Sequence, residues 1–153
     1  MINLQIYCEN LQQDIERFFE ICFTDLGWGY EPNGRHFDIV NIQEVYMKDG
    51  CMWCLYDNEQ LIGTVAIRTI DKHEKTAEMK RLYVLKNHQG KGYGSFLFET
   101  AIRHVKENGY KKINLDTRQD RTASLHLIKK YNFNQVSKYN NNEFAELFFE
   151  LEL

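Results

Sequence analysis

The stretch of this chain best suited to chemistry is Gln89-Gly-Lys-Gly-Tyr-Gly-Ser95. Its glycines at 90, 92 and 94 sit between a strand pattern (Thr76–Leu85) and an apolar helix pattern (Ser95–Asn108). A turn stripped of side chains at a helix N-terminus offers bare N–H groups, and such groups bind anions, above all phosphate. A turn that only redirects the chain needs one or two glycines for its backbone shape. Three at alternate positions, with Gln89 and Lys91 among them, exceed that need. Lys91 either adds charge to the cradle or lies in solvent.

Two familiar phosphate motifs do not fit. A P-loop requires Gly-Lys followed by Ser or Thr, which is absent. A dinucleotide turn requires a glycine at the sixth position from Gly90, which is Ser95, and belongs in repeated βαβ units. Other reactive residues point elsewhere. Cys51-Met-Trp-Cys54 has C-x-x-C spacing but lies inside a strand pattern and lacks a second ligand pair, so both cysteines read as small buried residues. His36, His73, His88, His104 and His126 show no metal spacing, and no metal is expected.

The positioning elements follow from periodicity. Asn3–Tyr7 reads as a strand. A helix capped by Asn10 carries Leu11, Ile15, Phe18, Phe19 and Cys22 on one face and ends at Gly27. A less regular helix is predicted from Arg35 to about Lys48. Strands Cys51–Tyr56, Leu61–Ile70 and Thr76–Leu85 follow as an antiparallel run. After the glycine turn come helix Ser95–Asn108, strand Lys112–Asp116, helix Arg121–Tyr131, a short strand at Asn134–Ser137, and a closing strand Phe144–Leu153 that could form a dimer edge. Residues 1–153 are expected to make one α+β domain with a mixed, mostly antiparallel sheet flanked by helices.

Composition bounds the partners. A net charge of −3 without a basic tail speaks against nucleic acid. No apolar run is long enough to span a membrane, and the N-terminus lacks a secretory leader, so the cytoplasm is the expected compartment and reduced thiols the expected state.

The segment Gln89-Gly-Lys-Gly92-Tyr-Gly94 resembles motif A of the GNAT N-acetyltransferases, [Gln/Arg]-x-x-Gly-x-[Gly/Ala]. Glu78–Val84 resembles the family's fourth strand, Leu115-Asp-Thr117 the end of its fifth, and Arg121–Phe133 its motif B; the likeness runs from about Gly63 to Leu153. It implies the acyl-CoA N-acyltransferase fold, acetyl-CoA as co-substrate, and transfer of an acetyl group to a primary amine of a small molecule or peptide. It further implies that Gln89, Gly90, Lys91, Gly92, Tyr93, Gly94 and Ser95 cradle the CoA pyrophosphate. Main-chain groups of Leu82, Tyr83 and Val84 would pair with the pantetheine arm, and Arg121 would meet a phosphate. Glu78, at the spacing where some members carry a catalytic glutamate, is the candidate base, or else a substrate-orienting carboxylate. The motif B tyrosine that protonates the leaving thiolate is Ile128 here, so Tyr131 is the candidate acid, ahead of Tyr83 and Tyr93. Asn132 stands where the motif has glycine. A non-catalytic acyl-CoA-binding module on the same fold is the alternative, and a nucleotide-binding domain a third.

Overall fold

The computed structural model describes all residues from Met1 to Leu153. A seven-stranded sheet, ordered β1-β2-β3-β4-β5-β7-β6, organises the chain. Its strands are β1 (Ile2–Ile6), β2 (Cys51–Asp57), β3 (Gln60–Asp71), β4 (Thr76–Val84), β5 (Lys112–Thr117), β6 (Asn134–Val136) and β7 (Leu147–Glu152). Only β4 and β5 are parallel, as required of strands joined by a crossover helix. The helices are α1 (Gln12–Asp25), α2 (Tyr93–Glu107) and α3 (Thr122–Lys130).

Strand alternation divides the helices between the two faces. On one face, Tyr56 donates its hydroxyl to Asp14 of α1 (2.9 Å), and Tyr83 meets the ring of Phe19 edge-on. On the other, Trp53 meets His104 of α2, and Phe98 of α2 packs on Tyr131 and Phe133 at the end of α3. Layers on both faces leave the middle of β2 and β3 wholly buried. That burial explains Cys51 and Cys54: both are free thiols in the core, pushed up to about 11 and about 12 by desolvation, and neither has reactive character.

Three expectations are corrected. The segment predicted as one helix over Arg35–Lys48 is two short pieces, a 3-10 turn at Phe37–Val40 and a π-helical turn at Gln43–Met47. Asn10 does not cap α1; it lies in a 3-10 turn, Glu9–Leu11, that leads into the helix. The closing strand is shorter than its alternating pattern and is no sheet edge, because β5 pairs along one side of it and β6 covers Phe148–Glu150 on the other. The alternation continues upstream through Phe144, but those residues leave the sheet to line a cavity.

Two features shape the middle of the sheet. Pairing between β3 and β4 gains an extra residue at Arg81, which takes a left-handed φ of 57°, and Thr64 donates its hydroxyl to the Arg81 carbonyl (2.8 Å). Pairing between β4 and β5 covers only Thr76↔Lys112, Ala77↔Ile113 and Glu78↔Asn114. Past Glu78 the two strands splay apart.

Close approach also fixes a glycine at the start of β2. A Cβ on Gly50 would lie 1.9 Å from the Ile67 carbonyl oxygen, a backbone atom that cannot yield cheaply. Gly50→Ala should lower unfolding free energy by about 3 kcal/mol, at the upper end of overpacking costs, as measured by urea denaturation.

Candidate active site

The splay opens a cavity of 530 Å³ that is lined from both faces of the sheet. Met79, Phe98, Ser124 and Ile128 line it on the side of α2 and α3. Asp38, Tyr46, Arg68, Lys80 and Asp116 line it on the side of α1. A passage through a sheet needs two strands without mutual hydrogen bonds, which β4 and β5 provide beyond Glu78.

Beyond the cavity, past the end of β4, lies the glycine turn. Gly90 and Gly92 have φ of 78° and 89°, and a Cβ at either would meet no atom within 4 Å. Backbone shape, not crowding, therefore requires glycine there. None of the amides from Gly90 to Ser95 has an acceptor within the chain. Consecutive free N–H groups at the start of a fifteen-residue helix, α2, form a strong anion cradle. Gln89 does a different job from the amides: its side chain donates to the Val84 carbonyl at 2.9 Å. Lys91 is exposed, and Tyr93 lies beside His88.

The free edge of β4 continues from this turn. Leu85 donates its amide to Ile62 of β3, and Tyr83 pairs with Thr64, so by alternation Leu82 and Val84 turn their main-chain groups toward the splay. Their carbonyls accept from Arg121 (3.4 Å) and Gln89 (2.9 Å) respectively. Tyr83 turns its main chain to β3 and lines the cavity with its side chain, under the guanidinium of Arg121 at 4.5 Å.

Glu78 is fully buried and does not line the cavity. Its Oε1 accepts from Arg68 Nε (2.8 Å), and its Oε2 from Tyr139 Oη (2.5 Å) and Asn140 Nδ2 (2.9 Å). The same Asn140 Nδ2 donates to Asp116 (2.7 Å), which also holds Lys80 and Asn142. Glu78 thus reaches the cavity through Arg68, Lys80 and Asp116, which do line it. Burial alone would raise the Asp116 carboxyl, but Lys80 and the two asparagines hold it below the usual carboxylate range. Tyr139, desolvated and facing the Glu78 charge, is pushed well up and stays a donor.

Asp38 and Arg81 form a second buried pair. Arg81 donates Nε and Nη2 to the two carboxylate oxygens at 2.8 and 2.7 Å, and Tyr46 adds its hydroxyl at 2.5 Å. Desolvation of Asp38 is outweighed by the Arg81 charge, so its carboxyl sits below its ordinary value. This pair ties the Phe37–Met47 segment to the bulge in β4.

The structure does not bring Tyr131 to the cavity. It is half-buried, packs at a tilt on Phe98, and bonds its hydroxyl to Glu99. Ile128, one turn back, lines the cavity instead. Asp38, Lys80, Arg81, Asp116, Tyr139, Asn140 and Asn142 were not anticipated. A faint signal existed for some: Glu78 and Lys80 alternate with the apolar Ala77 and Met79, Asn114 and Asp116 alternate with Ile113 and Leu115 in the next strand, and Asn140-Asn-Asn142 precedes the last strand.

The Acetyltransferase (GNAT) family model matches residues 10–133. Human N-acetyltransferase 8B is 24% identical over 106 residues, 66% of this chain and 47% of that protein. The chain spans about half the length of the curated relatives first matched, 47% in that case. Among solved structures, an acetyltransferase of the GNAT family from Staphylococcus aureus Mu50 superposes with TM-score 0.87 over 99% of both chains at 18% identity. PaiA N-acetyltransferase from Thermoplasma acidophilum, solved with coenzyme A, gives TM-score 0.74 over 100% of this chain and 99% of that one at 15% identity. No helix of the chain is long and apolar enough to cross a membrane.

One titration is built into the wall of the site. His36 stacks on Phe23 (4.2 Å between centroids) and accepts the Glu31 amide on Nδ1 (2.8 Å). Burial, then the charges of Arg81 and Arg35, lower it from 6.5 to about 4. Between those values the unfolded chain takes up a proton that the folded chain refuses, so stability is full above pH 6.5 and falls as pH drops toward 4. His36→Gln should flatten that slope in denaturation curves measured across the interval.

Proposed function

Since the chain belongs to the GNAT acetyltransferase family, we propose that residues 1–153 form one catalytic unit that transfers the acetyl group of acetyl-CoA to a primary amine. The observation that carries this reading is the run of unpaired amides from Gly90 to Ser95, continuous with the free edge of β4 and the opening beside it. Gly90, Lys91, Gly92, Tyr93, Gly94 and Ser95 would hold the pyrophosphate. Leu82 and Val84 would bond the pantetheine amides as an added strand would. Gln89 would fix the Val84 carbonyl, and the N–H of Val84 on the same edge can polarise the thioester carbonyl. Arg121, above Tyr83, suits a CoA oxygen.

In the reaction, the amine nitrogen attacks the thioester carbonyl. The N–C bond forms, the C–S bond breaks, CoA leaves as thiolate, and the nitrogen loses one proton. An alkylammonium with a pKa near 10 must first be deprotonated. We assign that step to the carboxylate network of Glu78 and Asp116, with Asp116 its cavity-facing member and Glu78 acting through it or through water. The thiolate needs little help, since a free thiol has a pKa of about 8.5. Tyr83, whose side chain lines the cavity, is better placed than Tyr131 to return a proton.

The second reading, an acyl-CoA-binding module without turnover, is favoured by Ile128 in place of a hydroxyl. Thiol release from acetyl-CoA across a panel of amines separates the two; CoA-stabilised melting with no release anywhere would sink the transferase. Gly92→Val forces a β-branched side chain into a left-handed φ beside the amides and should raise the acetyl-CoA KM by about tenfold or more. Glu78→Gln should flatten the acidic limb of the pH–rate profile; an unchanged limb removes Glu78 from proton transfer.

A further inference from the structure

Three buried side-chain polar atoms of this chain have no hydrogen-bond partner: Tyr30 Oη, Arg35 Nε and Arg118 Nε. The two arginines line the cavity and bracket the same residue, Phe144. The Arg35 guanidinium lies 4.5 Å from the Phe144 ring centroid and 5.6 Å from that of Trp28. Arg118 donates Nη1 to the Phe144 carbonyl at 2.8 Å. The two Nε atoms are themselves closed off, but both arginines line the cavity, and a guanidinium fork is shaped for an oxyanion.

The chain's own acids do not fill that role. Glu31 approaches Arg35 Nε at 2.9 Å without the alignment of a hydrogen bond, and Asp120 stays 3.6 Å from Arg118 Nε, beyond hydrogen-bond reach. Their side chains are 56% and 67% exposed, where water screens the attraction. Glu146, 3.9 Å from Arg118 Nη2, already accepts the Gln119 amide. Glu143 lines the cavity but is exposed. These acids offset part of the arginine charge, which leaves a place for one negative charge better than for a phosphate dianion. The cofactor's phosphates have their own cradle at the glycine turn, which does not line this cavity.

We infer that the acceptor is an amine that also carries a carboxylate, held by Arg35 and Arg118 at the Phe144 end of the cavity with its amino group toward the β4–β5 opening. This assignment rests on the acetyl-transfer reading. Trp28 and Phe144 fix the Arg35 head by cation–π contact, so its outer edge is pre-set for the carboxylate. Arg35 and Arg118 are binding residues for specificity and take no part in bond making.

The test pairs free amino acids with their own amides in the thiol-release assay. The amino acids should be preferred by about tenfold or more in kcat/KM, since hydrogen bonds to a charged group carry about that much. Arg35→Gln and Arg118→Gln should each remove most of the preference through KM for the acceptor, while the acetyl-CoA KM stays unchanged. Amides used as well as acids, or a preference that survives both substitutions, overturns the inference and leaves the transferase reading standing. If no amine releases thiol, calorimetric binding of the same pairs to CoA-loaded protein decides. Binding of the acid alone, lost in Arg35→Gln, sustains the anion site and sinks only the transfer step. Equal binding of both members, or none, overturns the inference.

Discussion

The splay of β4 from β5 is the constraint on which everything else rests. Parallel strands that kept pairing would seal the sheet, and no path would join its two faces. Pairing stops at Glu78↔Asn114, and two devices keep the strands apart. The bulge at Arg81 bends β4 and costs a left-handed φ at a residue with a long side chain. The bidentate bond from Arg81 to Asp38, reinforced by Tyr46, fixes that conformation from outside the sheet. A buried pair of this kind is weak evidence for stability, yet removing one partner strands a charge and is expensive, on the order of 3–5 kcal/mol. Here it also anchors the irregular segment Phe37–Met47, which walls one side of the cavity.

A second network holds the opposite wall. Tyr139, Asn140 and Asn142 lie in the connection from β6 to β7, and they bond to Glu78 and Asp116 on the central strands. Every oxygen of those two carboxylates that is withdrawn from water meets a donor, which is what makes their burial tolerable. The network therefore does two things at once. It keeps the Asp116 carboxyl charged at the opening, and it carries Phe144 to the place where Arg35 and Arg118 meet it.

Legibility in the sequence followed the range of the interactions. The glycine turn, α2, α3 and the strands were readable because local periodicity and φ requirements declare them. The site residues that act through long-range partners were not. Nothing adjacent to Asp38 announces Arg81, which lies across the fold, and no local rule places an arginine in the left-handed region. The break of the Arg35–Lys48 segment into 3-10 and π-helical turns was not legible, because the buried His36, Ile39, Ile42 and Tyr46 fall on one stripe of a regular helix and so read as one. Glu78 was found by spacing from the turn, but its enclosure by Arg68, Tyr139 and Asn140 was not visible. Tyr131 shares a helical face with Ile128 by sequence count, yet its position at the C-terminal end of α3 directs its hydroxyl to Glu99.

The three-pair join between β4 and β5 also bears on how the fold is assembled. Strands β2, β3 and β4 are consecutive hairpins, whose contacts close short loops and are cheap in chain entropy. The parallel join must wait for α2 to cross over, and β7 then pairs back onto β5. The cavity is the seam between these two halves, held by the contacts of greatest sequence separation, which form slowly. The cavity is thus the last feature this topology acquires, and a chain whose hairpins alone have formed has a glycine turn but no cavity.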